Sequence, residues 1–354
     1  MTTLLHYFRW AFLFTAVGLA LAFCLGWAFS GTLAGALGFL LIGGILAVLE
    51  ISLSFDNAIV NAGKLREMTP AWQRRFLTWG IVIAVFGMRI VFPLLIVVLA
   101  ADISPWNALR LAARQPAEYA RIVGEAHLAI AAFGGAFLMM VALKYFFNES
   151  KNVHWIAHVE AFMVRFSTVQ GMELAIVLAV IMGFANSVPE AGLATFLYAS
   201  MSGLLTYLAV EVGGHLLDAR QGMVMMAAKG GLGAFLYLEV LDASFSFDGV
   251  IGAFALTQNL FLIAIGLGIG AFYVRSLTVM LVERQTLAQF RYLEHGAFWS
   301  ILILSGIMFA QTIWHIPELV TGLLGAGFIG LSVISSLHYN RGEAAKQVAS
   351  GGDI

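Results

Sequence analysis

Long runs without a charged side chain constrain this sequence more than any other feature. The segment Ala11–Phe29 contains no charged residue, and several other apolar runs are similarly long. About 18 apolar residues in a row are enough to cross a membrane as a helix. Of the 354 residues, 61% are hydrophobic and 11% are charged, whereas about a quarter are charged in soluble domains. The sequence therefore predicts an all-α polytopic membrane protein that has the lipid bilayer as a partner.

Charge and cysteine content argue against several other classes of protein. The net charge is −1 and no extended basic run occurs, so we expect no nucleic-acid partner. Cys24 is the only cysteine, which excludes a disulfide framework and a thiolate metal cluster. No motif for an organic cofactor or for ATP binding is present, so we expect neither. We interpret Ala11–Phe29 as a retained first helix rather than as a cleaved signal peptide.

The apolar runs predict about ten transmembrane helices in two halves. The expected helices are 10–30, 34–63, 76–100, 128–147, 171–187, 191–211, 230–257, 259–282, 297–315 and 318–337. The first half, residues 1–170, includes an outer loop, 101–127, with a surface helix and an inner loop, 148–170, with an amphipathic helix. The second half is 171–339, and the polar tail 340–354 is predicted to be a disordered cytoplasmic tail.

Basic residues predict the orientation of the chain. With ten spans, 14 of the 19 Lys and Arg residues fall on the side that holds both termini. The opposite side has only Arg110, Arg114 and Arg121, all in the outer loop. Because cytoplasmic loops are enriched in Lys and Arg, we expect a multi-pass protein of the cytoplasmic membrane with both termini in the cytoplasm.

Polar side chains interrupt the second predicted helix and recur in the seventh. Leu49–Val60 contains Glu50, Asp56 and Asn57, and its pattern of an acid six residues before an Asp returns at Asp242 and Asp248. Each copy precedes a segment with Phe-x-x-Arg, which ends at Arg89 or at Arg275. Since five helices separate the copies, they run in opposite directions across the membrane. This arrangement predicts two inverted repeats with a substrate site between them.

The spacing of the acids predicts a break in each of these helices. On an ideal helix one face carries Glu50, Ser54, Asn57 and Asn61, and in the second copy Glu239, Asp242, Ser246 and Gly249. Asp56 and Asp248 would lie off those faces. We therefore expect the backbone to open near 54–57 and again near 246–249, which would free carbonyl oxygens to act as ligands.

Oxygen atoms make up the whole set of candidate ligands. The proposed metal ligands are Glu50, Asp56, Asn57, Asp242 and Asp248, with supporting roles for Ser54, Ser246, Glu239, Asn61, Arg89 and Arg275. Hard divalent cations prefer oxygen ligands. Five acids against two arginines leave three negative charges, which protons or a cation must neutralise in a membrane. Cation/proton exchange follows from this balance. Two alternatives stay open: the acids pair with the arginines only to hold the bundle together, and Glu239 is a packing residue rather than a ligand.

The two acidic motifs resemble the paired signatures of TerC-type integral membrane proteins. They read Leu-Glu-Ile-Ser-Leu-Ser-Phe-Asp-Asn-Ala from Leu49 and Leu-Glu-Val-Leu-Asp-Ala-Ser-Phe-Ser-Phe-Asp-Gly from Leu238. A longer branch of unknown function, in a lysine-exporter-like superfamily, also has segments similar to 148–155 and 315–318. The resemblance implies inverted repeats, manganese efflux, a name-level link to tellurite resistance and ligand roles for Glu50, Asp56, Asp242 and Asp248. Many TerC proteins have Asp-Ser-Ile-Pro where this chain has Asp248-Gly-Val-Ile, so the metal can differ.

Together these features predict a secondary transporter that exports a divalent cation and is not an enzyme. Manganese is the favoured substrate, with calcium and magnesium as alternatives, and protons are the exchange partner. One competing hypothesis is an accessory membrane protein of a metal or tellurite stress response. A second, weaker one is an intramembrane aspartyl-type hydrolase. The sequence leaves homo-oligomerisation open.

Overall fold

The computed structural model describes most of the chain. The described residues are 2–80, 82–83, 87, 90–148, 151, 153–166, 168–169, 171–222, 231–284 and 289–350. Arg89 lies outside this part of the chain. So do the side chains of Ser246 and Asp248, although their backbone is described.

Helices joined by short turns account for nearly all of the described residues. Those of the first half are α1 (Thr2–Ser30), α2 (Leu33–Leu53), α3 (Phe55–Glu67), α4 (Pro70–Arg75), a π-helical turn (Phe76–Gly80), α5 (Phe92–Ala100), α6 (Pro105–Arg114), α7 (Pro116–Glu125), α8 (His127–Phe146) and α9 (Ala157–Arg165). Those of the second half are α10 (Met172–Ala185), α11 (Glu190–Gly222), α12 (Leu232–Leu256), α13 (Leu260–Glu283), α14 (Leu293–Gln311) and α15 (Glu318–Ser350). No β-strand occurs within these ranges.

The lengths and hydropathy of the helices confirm a multi-pass membrane protein. Within the described ranges, seven helices are long and apolar enough to cross a membrane, and α10 is a shorter apolar helix. The predicted helix 34–63 is divided into α2 and α3. The predicted helix 76–100 begins with the π-helical turn and ends with α5, and part of it lies outside the described residues.

The loop and tail regions differ in detail from the prediction. The outer loop forms two helices, α6 and α7, each with a proline at its start, where a proline costs no hydrogen bond. Tyr119 of α7 is fully buried and packs on Phe254 of α12. The inner loop contains α9, as predicted. The tail differs, because α15 continues to Ser350 where disorder was predicted. Residues 343–346, Glu-Ala-Ala-Lys, favour helix.

Close contacts through glycine hold α2 against α13. A Cβ atom at Gly266 would lie 2.5 Å from Leu46 Cβ, and one at Gly270 would lie 2.3 Å from Glu50 Cγ. Further along, Thr278 Oγ1 is 3.5 Å from the carbonyl oxygen of Ala58 in α3. The residue numbers rise together on the two sides, so α2 and α3 run parallel to α13. Small residues allow this approach of two backbones.

Two other helix pairs are antiparallel. Glu50 and Asn61 contact Gly249 and Asp242 of α12, respectively. In the largest buried core, Tyr145 of α8 stacks on Phe298 of α14 with ring centroids 3.7 Å apart. At the other end of that pair, a Cβ at Gly134 of α8 would meet Met308 of α14. These directions agree with the alternation of ten predicted spans.

Candidate functional site

The helix is interrupted within the first acidic motif, as predicted, but its backbone does not open. α2 ends at Leu53 and α3 begins at Phe55, with Ser54 between them at φ −100° and ψ 17°. The break is one residue long. The carbonyl oxygens of Glu50 and Ser54 still accept backbone N–H groups, at 3.0 and 3.2 Å, so they are not freed as ligands. The break makes Asp56 a first-turn residue of α3, where the helix dipole favours a negative charge.

Asp56 is 4% exposed and has both carboxylate oxygens engaged. Its Oδ1 accepts the backbone N–H of Asn57 at 2.8 Å. Its Oδ2 accepts the hydroxyl of Ser300 in α14 at 2.9 Å. The contact joins the first acidic motif to a helix of the second half of the chain, 244 residues away.

Glu50 is 2% exposed and faces both α12 and α13. Ser54 Oγ donates to Glu50 Oε1 at 3.0 Å. A Cβ at Gly249 of α12 would lie 2.9 Å from Glu50 Oε2, and Gly270 of α13 lies against the Glu50 stem. Two glycines therefore make room for one buried glutamate.

Glu50 and Asp56 line one small cavity. Its interior of about 20 Å³ has room for one or two water molecules or one bare ion. Leu304 of α14 and Ile329 of α15 contribute apolar walls. The polar lining is Glu50, Ser52, Ser54, Asp56, Ser300 and Thr321. Two carboxylates and four hydroxyls form a set of oxygen atoms that suits a hard cation.

The prediction of a helix break in the second acidic motif, near 246–249, is wrong. α12 is continuous from Leu232 to Leu256, including the backbone of residues 246–249. Ser244 Oγ donates to the carbonyl of Val240 one turn earlier, a contact that serine side chains make within continuous helices. Gly249 of this helix provides space for Glu50.

Glu239 and Asp242 lie apart from the cavity lining. Asn61 Nδ2 donates to Asp242 Oδ1 at 2.7 Å. Glu239 lies against the π-helical turn, where a Cβ at Gly80 would be 2.8 Å from Glu239 Oε1. Asn57, a predicted ligand, is 8% exposed, and its Oδ1 has no hydrogen-bond partner in the described part of the chain.

Not all of the predicted ligands meet. Of those with described side chains, Glu50 and Asp56 line the same cavity, whereas Asp242 contacts Asn61. Among the side chains that the structure describes, no group of three or more His, Cys, Asp or Glu residues could hold a metal ion. The structure does not describe the side chains of Asp248 and Ser246, so their predicted roles stay predictions.

The two arginines of the Phe-x-x-Arg segments were predicted to balance the acids. Arg275 Nε donates to the carbonyl oxygen of Leu77 at 2.9 Å, so this arginine satisfies the backbone of the π-helical turn. The predicted role of Arg89 falls outside the described residues.

Sequence reasoning missed Ser300 and Thr321. Ser300 donates to Asp56, and the buried Thr321 Oγ1 lines the cavity without a hydrogen-bond partner in the described structure. Single hydroxyl residues are common in apolar helices, so nothing in the sequence separated these two from the other serines and threonines.

A buried charge network next to α14 was also missed. Glu160 of α9 is fully buried and accepts hydrogen bonds from Lys151 Nζ at 2.9 Å and Trp299 Nε1 at 3.0 Å. Burial alone would raise the pKa of Glu160, but the hydrogen bonds from Lys151 and Trp299 outweigh it and hold that pKa below its ordinary value. His295 Nε2 lies 2.7 Å from the carbonyl of Val153. The network ties the inner loop to the helix that carries Ser300.

Comparison with known proteins identifies a family. No curated protein and no solved structure matches the chain. The family model described as "Protein of unknown function (DUF475)" matches residues 55–343. The match covers most of the chain, and it includes Asp56, the whole second acidic motif and Ser300. The chain belongs to this family of proteins of unknown function.

Proposed function

We propose that this protein is a secondary transporter that exports a divalent metal cation in exchange for protons. Manganese is the favoured substrate because the two acidic motifs resemble those of TerC-type proteins. The proposal places the protein in the cytoplasmic membrane, with ten spans and both termini in the cytoplasm.

One observation carries the proposal: the buried carboxylates of Glu50 and Asp56 line one small cavity among apolar helices. Ionisable residues within a membrane are costly and are associated with ion pathways. Ser54 and Ser300 donate to these carboxylates, and their hydroxyl oxygens can also act as ligands. Two negative charges balance one divalent cation. When the cation leaves, protons can take its place, which gives a physical basis for exchange.

The directions of the helices support alternating access. α2 and α3 run parallel to α13 and antiparallel to α12, as two inverted halves require. In such transporters one half rocks against the other around a site between them. The Asp56–Ser300 hydrogen bond joins elements from both halves, so relative movement of the halves would change the coordination of Asp56.

The test is Mn²⁺ flux in vesicles that contain the purified protein, with and without a pH gradient. We expect the wild-type protein to move Mn²⁺ and the pH gradient to accelerate the movement. Asp56→Asn preserves the shape of the side chain but removes its charge, and we expect it to abolish flux. Glu118→Gln changes an exposed acid of α7 that pairs with Arg121, and it should transport normally. If wild-type protein moves no divalent cation under either condition, the proposal is wrong, and an accessory role becomes the better explanation.

A further inference from the structure

A second group of buried oxygen atoms lies beyond the cavity. We call Asn61, Glu239 and Asp242 the Asn61 cluster. Glu239 and Asp242 are three residues apart on the continuous helix α12, so they share a face. Asn61 of α3 donates to Asp242 at 2.7 Å, and Gly80 of the π-helical turn closes over Glu239. Three elements of the bundle therefore surround the cluster.

The hydrogen bonds of Asn61 fix the orientation of its amide. A carboxylate only accepts hydrogen bonds when ionised, so the NH₂ group of Asn61 must face Asp242. The Oδ1 atom of Asn61 is then on the other edge of the amide. Asn61 is 3% exposed, and its Oδ1 is buried without a hydrogen-bond partner in the described part of the chain.

Glu239 also has buried oxygen atoms without hydrogen-bond partners. It is 8% exposed, and both of its carboxylate oxygens are buried without a donor among the described residues. A buried acceptor without a partner is destabilising, and more so when it is charged. The unsatisfied atoms of Glu239 and Asn61 are all oxygen acceptors. A cation is the ligand that satisfies such atoms together.

We propose that the Asn61 cluster is a second cation site, in series with the cavity at Glu50 and Asp56. The carboxylate of Glu239 and the amide oxygen of Asn61 would hold one divalent cation, with water completing its shell, and Asp242 would orient the amide. Such ions are commonly bound by one or two carboxylates. The inference rests on the proposed function because it assigns the same cation to both sites.

The spacing of the two sites fits a path through the membrane. Asn61 is five residues beyond Asp56 on α3, which is about 7.5 Å along a helix axis. The Asn61 cluster is therefore nearer to the C-terminal end of α3. The segment between the predicted helices 34–63 and 76–100 begins there, contains Lys64, Arg66, Arg74 and Arg75, and is predicted to be cytoplasmic. In that orientation, an outgoing cation reaches the Asn61 cluster first and the cavity second.

Equilibrium dialysis of the purified full-length protein against Mn²⁺ tests this inference, with bound metal counted per chain. We expect two Mn²⁺ ions in the wild-type protein and one in Glu239→Gln. Asn61→Leu, which changes no charge, should also retain one. Asp56→Asn should retain one as well, and the double variant with Glu239→Gln should retain none. Glu118→Gln is the matched control and should bind two, and thermal unfolding checks that each variant is folded.

Each result decides between the alternatives. A single bound ion in the wild type, lost in both Asp56→Asn and Glu239→Gln, would mean one shared site and would overturn the inference while leaving the proposed function intact. Unchanged binding in Glu239→Gln and Asn61→Leu would also overturn it, since the cluster would then hold no metal. Absence of any bound ion in the wild type would contradict the proposed function as well.

Discussion

Replacing Gly270 by alanine tests whether the packing of α2 on α13 positions Glu50. The new Cβ would lie 2.3 Å from Glu50 Cγ and 2.5 Å from Glu50 Cβ. Carbon atoms in contact are about 3.5–4.0 Å apart, so either the helices separate by more than about 1 Å or Glu50 moves. Overpacking of this kind costs about 1–3 kcal/mol. Alanine recovers about 1 kcal/mol through its helix propensity, which leaves a net loss of about 0–2 kcal/mol.

The matched control for this prediction is Gly44→Ala. Gly44 is also in α2, and a Cβ there would have no neighbour within 4 Å. The control should therefore be as stable as the wild type or slightly more stable. Thermal unfolding in detergent, followed by tryptophan fluorescence, measures both. Movement of Glu50 should also weaken Mn²⁺ binding about tenfold, which corresponds to about 1.4 kcal/mol. Equal stability and equal Mn²⁺ affinity of Gly270→Ala and Gly44→Ala would refute the reasoning.

Further predictions concern the polar contacts around α14. Ser300→Ala should lower the free energy of unfolding by about 1.5–3 kcal/mol, because Asp56 loses a hydroxyl donor. Ser305→Ala is the control, since it loses only a hydrogen bond to a backbone carbonyl of the same helix. Thermal unfolding of both variants should show the smaller loss for Ser305→Ala. Glu160→Gln should lose about 3 kcal/mol, because Lys151 is left buried without its counter-charge. The folded protein lowers the pKa of Glu160 from 4.5. The ionised carboxylate of Glu160 therefore adds to the free energy of unfolding above pH 4.5, and this stabilisation is lost as the pH falls below that value. Wild-type melting temperature should therefore drop in that acidic range more than that of Glu160→Gln, and equal pH profiles would contradict the assignment.

The sequence predicted the fold class and the first half of the site from local physics. Apolar length alone indicated membrane helices, and the six-residue spacing of Glu50 and Asp56 indicated an irregular backbone near 54–57. The helix is interrupted there, at Ser54, but it does not open, because the polar groups around Ser54 satisfy one another. Asp56 accepts the N–H of Asn57, and Ser54 donates to Glu50.

The second half of the site could not be predicted by analogy with the first. The same spacing of acids in α12 does not break that helix, because Gly249 has a packing role towards Glu50 that only the tertiary structure reveals. Asp242 likewise finds its partner, Asn61, 181 residues away. The repeated acidic motif therefore predicted which helices pack together, but it did not predict which side-chain oxygen atoms line the cavity.

The most direct test of the central claim is to locate the ion. Crystals of the protein grown with Mn²⁺ allow the metal to be found by its anomalous scattering. We predict a peak in the cavity, within coordination distance of Glu50 and Asp56, and its loss in Asp56→Asn. A transport-active protein whose Mn²⁺ peaks all lie away from Glu50 and Asp56 would contradict the account.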